Sequence, residues 1–223
     1  MNRIGKLYMV ATPIGNYQDI TLRALETLRA ADVIVCEEIR EGSSLLKKME
    51  IKPKELQTLN EHNEAEAVPE LLMRLINGQN LALITDCGTP VFADPGHTLI
   101  QAAHESGVPV IPVPGVSSLM AALSILDFSP KQFYFAGFLP PKPEPRRMEL
   151  LRLRTLRVPV ILMDTPYRLA ALLQDVAKAF GKNHTITLAT DLTQPSERIY
   201  RGTLADVLQQ VGPRKAEFIL IIH

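Results

Sequence analysis

From Leu81 to Gly96 the chain reads LALITDCGTPVFADPG, an apolar run that stops in Asp86, Gly88, Thr89, Pro90, Asp94, Pro95 and Gly96, all turn-forming residues. Leu81 to Thr85 suits a buried strand of a parallel sheet, so the polar loop falls at a strand's carboxyl end. In open α/β sheets that edge is where ligands bind, because loops converge there over rigid strands. Similar loops recur: TPIGN at Thr12–Asn16, EEIR at Glu37–Arg40, NEHNE at Asn60–Glu64, PGVSS at Pro114–Ser118 and DTPYR at Asp164–Arg168. Glu37, Glu61 and His62 are of the types that accept a proton, and Arg40 is of the type that holds an anion. The hydroxyls and amides of Ser117 and Ser118, at a helix start, suit a polar ligand group. Solvated turns, exposed ion pairs and simple helix caps account for the same residues without chemistry, so the recurrence carries more weight than any one loop.

The elements behind these loops alternate. Leu7–Ala11, Asp32–Cys36, Leu56–Leu59, Leu81–Thr85 and Val108–Val113 read as strands, the last near an edge because of Pro109 and Pro112. Between them, Asp19 predicts a cap for a helix over Ile20–Ala31, with Leu22, Leu25 and Leu28 on one face. Asn63 with Glu66 predicts a capped helix to Asn77, burying Leu71, Leu72, Leu75 and Ile76. A further helix near Asp94–Ser106 takes Asp94 as N-cap and Pro95 as its first residue. A boundary is expected between Ser118 and Gln132, dividing residues 1–117 from 118–223. Beyond it come the helix Leu119–Leu126, a strand at Phe133–Gly137, a proline-rich loop Leu139–Pro145, strands at Val158–Met163 and Thr185–Thr190, a hairpin partner at Glu197–Tyr200 and a last strand at Phe218–Ile222. Such alternation predicts two α/β domains with mainly parallel sheets.

Composition narrows the classes. The 223 residues carry no net charge and 46% are hydrophobic, which excludes a strongly basic nucleic-acid coat protein. The N-terminus has no signal-peptide pattern and no apolar run is long enough to span a bilayer, so a cytoplasmic protein is expected. Cys36 and Cys87 are too few for a disulfide framework or a zinc site; Cys36 reads as core, and Cys87 lacks a nearby His to activate it. The one concentrated positive segment is Lys142 to Arg157, with Arg146, Arg147, Arg152 and Arg154 between, suited either to phosphates or to a solvated helix face. There is no three-glycine dinucleotide fingerprint, no Gly-Lys-Ser/Thr phosphate loop and no GxSxG around Ser117.

Taken in order, ATPIGN with DITLRALETL, EEIR, EHNE, DCGTP with DPG, PGVSS, GFLPPK with the following RR, and TPYR resemble the bacterial ribosomal RNA small-subunit methyltransferase I family, of the tetrapyrrole methylase fold. The resemblance runs from about Leu7 to Ile222. It implies an S-adenosylmethionine-dependent enzyme that methylates the ribose 2′-hydroxyl of a cytidine in 16S ribosomal RNA. It also implies a homodimer whose two domains enclose the cofactor in a cleft. On that resemblance the cofactor meets Pro13, Asp86, Gly88, Thr89, Val91, Ser117, Ser118, Met163 and Ala189. Glu37, Arg40, Glu61 and His62 are the candidate catalytic residues, and Asn16, Lys142, Arg146, Arg147 and Arg168 fall on the substrate side. No metal is implied.

The departures lie mainly on that substrate side. Family members read EDTR where this chain has Glu37-Glu38-Ile39-Arg40, and ESPHR where it has Asp164-Thr165-Pro166-Tyr167-Arg168. Their RELTK and following HE become Thr190-Asp191-Leu192-Thr193-Gln194 and Ser196-Glu197. Two alternatives therefore stand beside the RNA enzyme: a small-molecule methylase of the same fold, and a catalytically silent cofactor- or RNA-binding protein.

Overall fold

A computed structural model describes residues 4–91 and 95–223. The chain forms two compact units, one up to Ser117 and one from Ser118. In the first, strands β1 (Leu7–Val10), β2 (Val33–Cys36), β3 (Leu56–Thr58), β4 (Leu81–Leu83) and β5 (Val110–Val113) pair in the order β3-β2-β4-β1-β5. Every pairing is parallel. The central strands β2 and β4 are short, wholly buried apolar runs because both of their faces are covered. Val33, Val35, Leu81 and Leu83 pack with α3 (Glu64–Ile76) and α4 (His97–Glu105). Their neighbours Ile34, Cys36, Ala82 and Ile84 pack on the other face with α1 (Leu22–Ala30) and α2 (Ile39–Lys48). From β2 the chain runs outward to β3, and from β4 it runs the opposite way to β5. The carboxyl ends of the neighbouring strands β2 and β4 are thus left with a crevice between their departing loops.

The second unit holds β6 (Tyr134–Phe138), β7 (Val160–Asp164), β8 (Thr185–Thr190), β9 (Arg198–Thr203) and β10 (Phe218–Ile222), ordered β6-β7-β10-β8-β9. Its helices are α5 (Ser118–Ser124), α6 (Pro143–Arg154), α7 (Leu169–Phe180) and α8 (Leu204–Val211). Only β6 and β7 pair in parallel; the other three pairings are antiparallel. The expectation of mainly parallel sheets therefore holds for the first sheet, while the second is mixed. Helical crossovers set β6, β7 and β8 in one direction, but β9 returns from β8 as a hairpin and β10 inserts between β7 and β8 against both. Its sequence FILII is buried throughout, and a continuous apolar run carries no mark of strand direction.

Local differences from the sequence expectations have identifiable causes. Asp19 closes a short 3-10 turn, Tyr17–Asp19, capped by Asn16; Thr21 is the N-cap of α1 and accepts from the Ala24 amide. Leu22 then falls in the first turn and is exposed, whereas Ala24 and Leu28, four apart, are buried. Asn63 is the N-cap residue of α3, as expected, but its side chain makes no capping bond; its side-chain amide donates to Thr58 and its oxygen accepts from the Asn60 amide. Ile76 is partly exposed at the end of that helix. The expected cap Asp94 lies outside the described residues, and α4 begins at His97, beyond Pro95. The proline-rich loop is shorter than expected, because Pro143 and Pro145 occupy the first turn of α6, where a missing N–H costs nothing.

One ion pair locks α6 to α7. The Arg146 Nε and Nη2 donate to Asp175 Oδ2 at 2.9 and 2.7 Å, and Nη1 donates to the Pro141 carbonyl at 2.8 Å. Burial alone would raise Asp175, but Arg146 and Lys178 outweigh it and hold the carboxyl below the ordinary range. Arg146→Ala is expected to cost about 3 kcal/mol in urea unfolding at neutral pH, since it leaves a largely buried carboxylate with only the exposed Lys178 as ionic partner. Because the folded-state pKa is depressed, the pair's contribution is complete above the ordinary carboxylate range and fades in acid. The gap between wild type and variant should therefore narrow as pH falls below about 4.

Candidate functional site

At the carboxyl edge of the first sheet three loops are joined, two of them backbone to backbone and the third through a side-chain hydroxyl. Thr12, just past β1, donates its amide to the Gly88 carbonyl at 2.8 Å and accepts the Gly88 amide at 3.1 Å. Its hydroxyl, fully buried, donates to the Thr85 carbonyl at 3.2 Å. Thr89 Oγ1 reaches the Val116 carbonyl at 3.2 Å, bringing in the loop after β5. Such close approach needs small residues. A Cβ at Gly88, where φ is +82°, would lie 3.3 Å from Ile14 Cγ2, and one at Gly115 would lie 3.0 Å from the Ala11 Cβ. Val91, β-branched and buried, is nevertheless held at φ +66°. A conformation of that kind costs on the order of 1–3 kcal/mol and persists where its surroundings over-determine it, commonly at ligand sites.

Charge concentrates beside this cradle. Burial, reinforced by the carboxylates of Asp86 and Glu38, pushes the Cys36 thiol up to about 11. Cys36 is therefore a protonated core thiol, donating to the Glu38 carbonyl at 3.4 Å and the Gln57 carbonyl at 3.6 Å. The same field favours a cation near the ends of β2 and β4. Glu37, half-buried, lines a water-sized cavity of about 10 Å³ in the crevice there, with Leu59, Thr85 and Pro95 among its other walls. Asn60 ties the β3 loop to it: Nδ2 donates to the Glu37 carbonyl at 3.4 Å, and Oδ1 accepts the His62 and Asn63 amides at 3.1 and 3.2 Å.

The predicted residues sort by place. Pro13, Asp86, Gly88, Thr89, Val91 and Ser117 share the cradle's loops in the first unit; Ser118 opens α5 in the second. Asn16 belongs to the β1 loop, where it caps the 3-10 turn. Glu61 and His62 lie 3.5 Å apart with 83% and 84% of their side chains exposed, and Arg40 is exposed in the first turn of α2. In the second unit Met163 and Ala189 flank Ile219, as its partners on either side, and share one apolar face. Lys142 and Arg147 are exposed. Arg146, by contrast, is only 7% exposed and is bound to Asp175, so its guanidinium is not presented to a substrate. Arg168 is likewise an internal clamp, pairing with buried Asp164 at 3.1 Å and donating to the Leu139 and Pro140 carbonyls at 3.1 and 3.2 Å.

Residues 6–208 match the family model for tetrapyrrole (corrin/porphyrin) methylases. Among solved structures, a cobalt precorrin-4 methyltransferase of cobalamin biosynthesis superposes with a TM-score of 0.69 at 24% identity, over 97% of this chain and 94% of the other. A uroporphyrin-III C-methyltransferase from Thermus thermophilus superposes with a TM-score of 0.67 at 21% identity, over 98% and 94%. These show the fold. A ribosomal RNA small subunit methyltransferase I from Synechocystis is 39% identical over 98% of this chain and 79% of its own length. The proteins of that name from Xylella fastidiosa and Escherichia coli O157:H7 are 40% and 37% identical over the whole chain and 83% and 79% of theirs. The chain belongs to the ribosomal RNA small subunit methyltransferase I family.

Methyltransferases of this family and fold use S-adenosylmethionine as methyl donor. The cradle fits such a group: its loops are joined so closely that a Cβ at Gly88 would crowd Ile14, and the carboxylates of Asp86 and Glu38 give the neighbouring ends of β2 and β4 a negative field suited to a cation. In this methyltransferase the residues that sequence reasoning missed are the ones that organise the site, Thr12 and Asn60. The available signals were a polar residue closing an apolar strand just before a proline, and an Asn two positions before a His. Gly88→Ala is expected to weaken S-adenosylmethionine binding several-fold by calorimetry while lowering stability by about 1 kcal/mol, because the side chain meets both a left-handed backbone and Ile14.

Proposed function

We propose that the protein transfers a methyl group from S-adenosylmethionine to the 2′-hydroxyl of a ribose in 16S ribosomal RNA, with Glu37 taking the hydroxyl proton. The observation that carries this reading is the joined cradle of the β1, β4 and β5 loops beside the half-buried Glu37. Pro13, Asp86, Gly88, Thr89, Val91 and Ser117 would hold the donor, and the names of the most similar relatives support RNA as acceptor. When bound, the donor supplies a methyl group on a cationic sulfur, the electrophile for an in-line displacement. A ribose hydroxyl is a poor nucleophile until it loses its proton, so a positioned carboxylate accelerates its attack. Glu37 suits that role better than Glu61 or His62, which are open to water and to each other. Those two, with Arg40, Lys142 and Arg147, are left to position the RNA, the cations by meeting phosphates. Action in the cytoplasm as a homodimer completes the reading; among the described residues no helix is long and apolar enough to cross a membrane.

Two measurements test it. Labelled S-adenosylmethionine, offered with small ribosomal subunits and separately with tetrapyrrole precursors, should label ribose in the RNA alone. Glu37→Gln should cut that turnover by about 10²-fold or more, with Glu61→Gln and His62→Gln costing far less; equal losses would move the proton acceptor elsewhere. Cys87 is exposed within the cradle loop, so saturating S-adenosylmethionine should slow its alkylation. Unchanged alkylation alongside measurable binding would place the donor away from Asp86–Val91.

A further inference from the structure

Tyr167 is 77% exposed, the most exposed Phe or Tyr among the described residues. It sits in a 3-10 turn, Pro166–Arg168, directly beyond the carboxyl end of β7. The next residue, Arg168, fixes that turn through buried Asp164 at 3.1 Å and through the carbonyls of Leu139 and Pro140 at the end of β6. The Lys215 ammonium lies over the Tyr167 ring, 4.8 Å from its centroid. The residues on either side of Lys215 are anchored to one carboxylate: Arg214 pairs with Asp191 at 2.6 Å, and the Glu217 amide donates to it at 3.1 Å. Lys215 itself has no ion-pair partner among the described residues, so its charge is not neutralised within the fold. Phe138, 52% exposed, is the residue before the clamped carbonyls and lies in register with Met163 on β7.

An exposed aromatic ring backed by a lysine, on loops whose flanking residues are anchored, has the chemistry of a platform for a nucleobase. The ring offers stacking and the ammonium offers a phosphate contact. A solvated tyrosine without a role would not need an arginine clamp beneath it and a second anchored loop beside it. We propose that Tyr167, with Lys215, is a stacking site for an unpaired base of the RNA substrate, and that Asp164 and Arg168 are positioning residues that hold the platform. The proposal rests on the reading of this protein as an RNA methyltransferase and adds to it the single-stranded character of the recognised segment.

The test uses the full chain, a short fluorescein-labelled single-stranded oligoribonucleotide of mixed sequence, and small ribosomal subunits with labelled S-adenosylmethionine. Tyr167→Ala should weaken oligonucleotide binding by about fivefold or more. The KM for subunits should rise in step, with kcat and the affinity for S-adenosylmethionine unchanged. Tyr167→Phe and Tyr167→Trp should restore binding, because stacking survives. Lys215→Met should lower the slope of log affinity against log salt by about 0.7, the contribution of one phosphate contact on a single strand, whereas Tyr167→Ala should leave that slope alone. If wild type binds and methylates RNA while Tyr167→Ala is indistinguishable from it, or if Tyr167→Phe fails to restore binding, the stacking site is wrong and the RNA reading stands. If wild type transfers no label to subunits and binds no oligonucleotide, both fall together.

Discussion

The pair of hydrogen bonds between Thr12 and Gly88 is the constraint on which the candidate site depends. β1 and β4 are parallel neighbours, so their chains leave the sheet at the same edge and, without a tie, would diverge toward separate helices. The bridge holds the loops together for one more step, and the buried Thr12 hydroxyl adds a third contact to Thr85. A buried polar side chain is tolerated only when it is hydrogen-bonded, and here the bonding is what fixes the loop. Gly88 and Val91, in the same loop, both take a positive φ.

The two units position their functional groups by different means. In the first, the groups ride on backbone loops that are zipped to one another, and electrostatics comes from carboxylates at the ends of β2 and β4. In the second, arginines do the fixing. Arg146 joins α6 to α7, Arg168 joins the ends of β6 and β7, and Arg214 anchors the loop beyond β8 through Asp191. A planar guanidinium can serve several acceptors at once, which suits it to bracing loops that carry no regular pairing. The basic segment read from the sequence is thus divided. Arg146 is internal, Arg152 pairs with Glu149, Arg154 bonds the Ala179 carbonyl, and Lys142 and Arg147 are exposed.

Much of the first unit was legible in the chain. Apart from β3, its strands are short apolar runs that end in turn-forming loops, and Pro109 and Pro112 place the last at an edge, as the strand order bears out. The second sheet was legible in its elements but not in its pairing. Strand direction depends on which neighbours a strand meets, and FILII would satisfy parallel or antiparallel partners equally. Capping was the least reliable signal. Asn63 had the spacing of a capping box, but its side chain is taken by Thr58 and the Asn60 amide, a competition that spacing cannot register.

Composition and motif order by themselves determined the alternating α/β character, the loop edge where the candidate site residues collect, and the resemblance that the relatives bear out. Those are properties of local pattern and of residue type in sequence. Only the tertiary structure decided which charged residues are presented and which are internal braces, since Arg146, Arg147 and Arg168 are alike as letters and differ only in what surrounds them. It alone joined Thr12 to Gly88 across 76 positions and set Lys215 over Tyr167. Contacts of that separation depend on how the strands are ordered in the sheet, and strand order is fixed by packing over the whole unit rather than by any one segment.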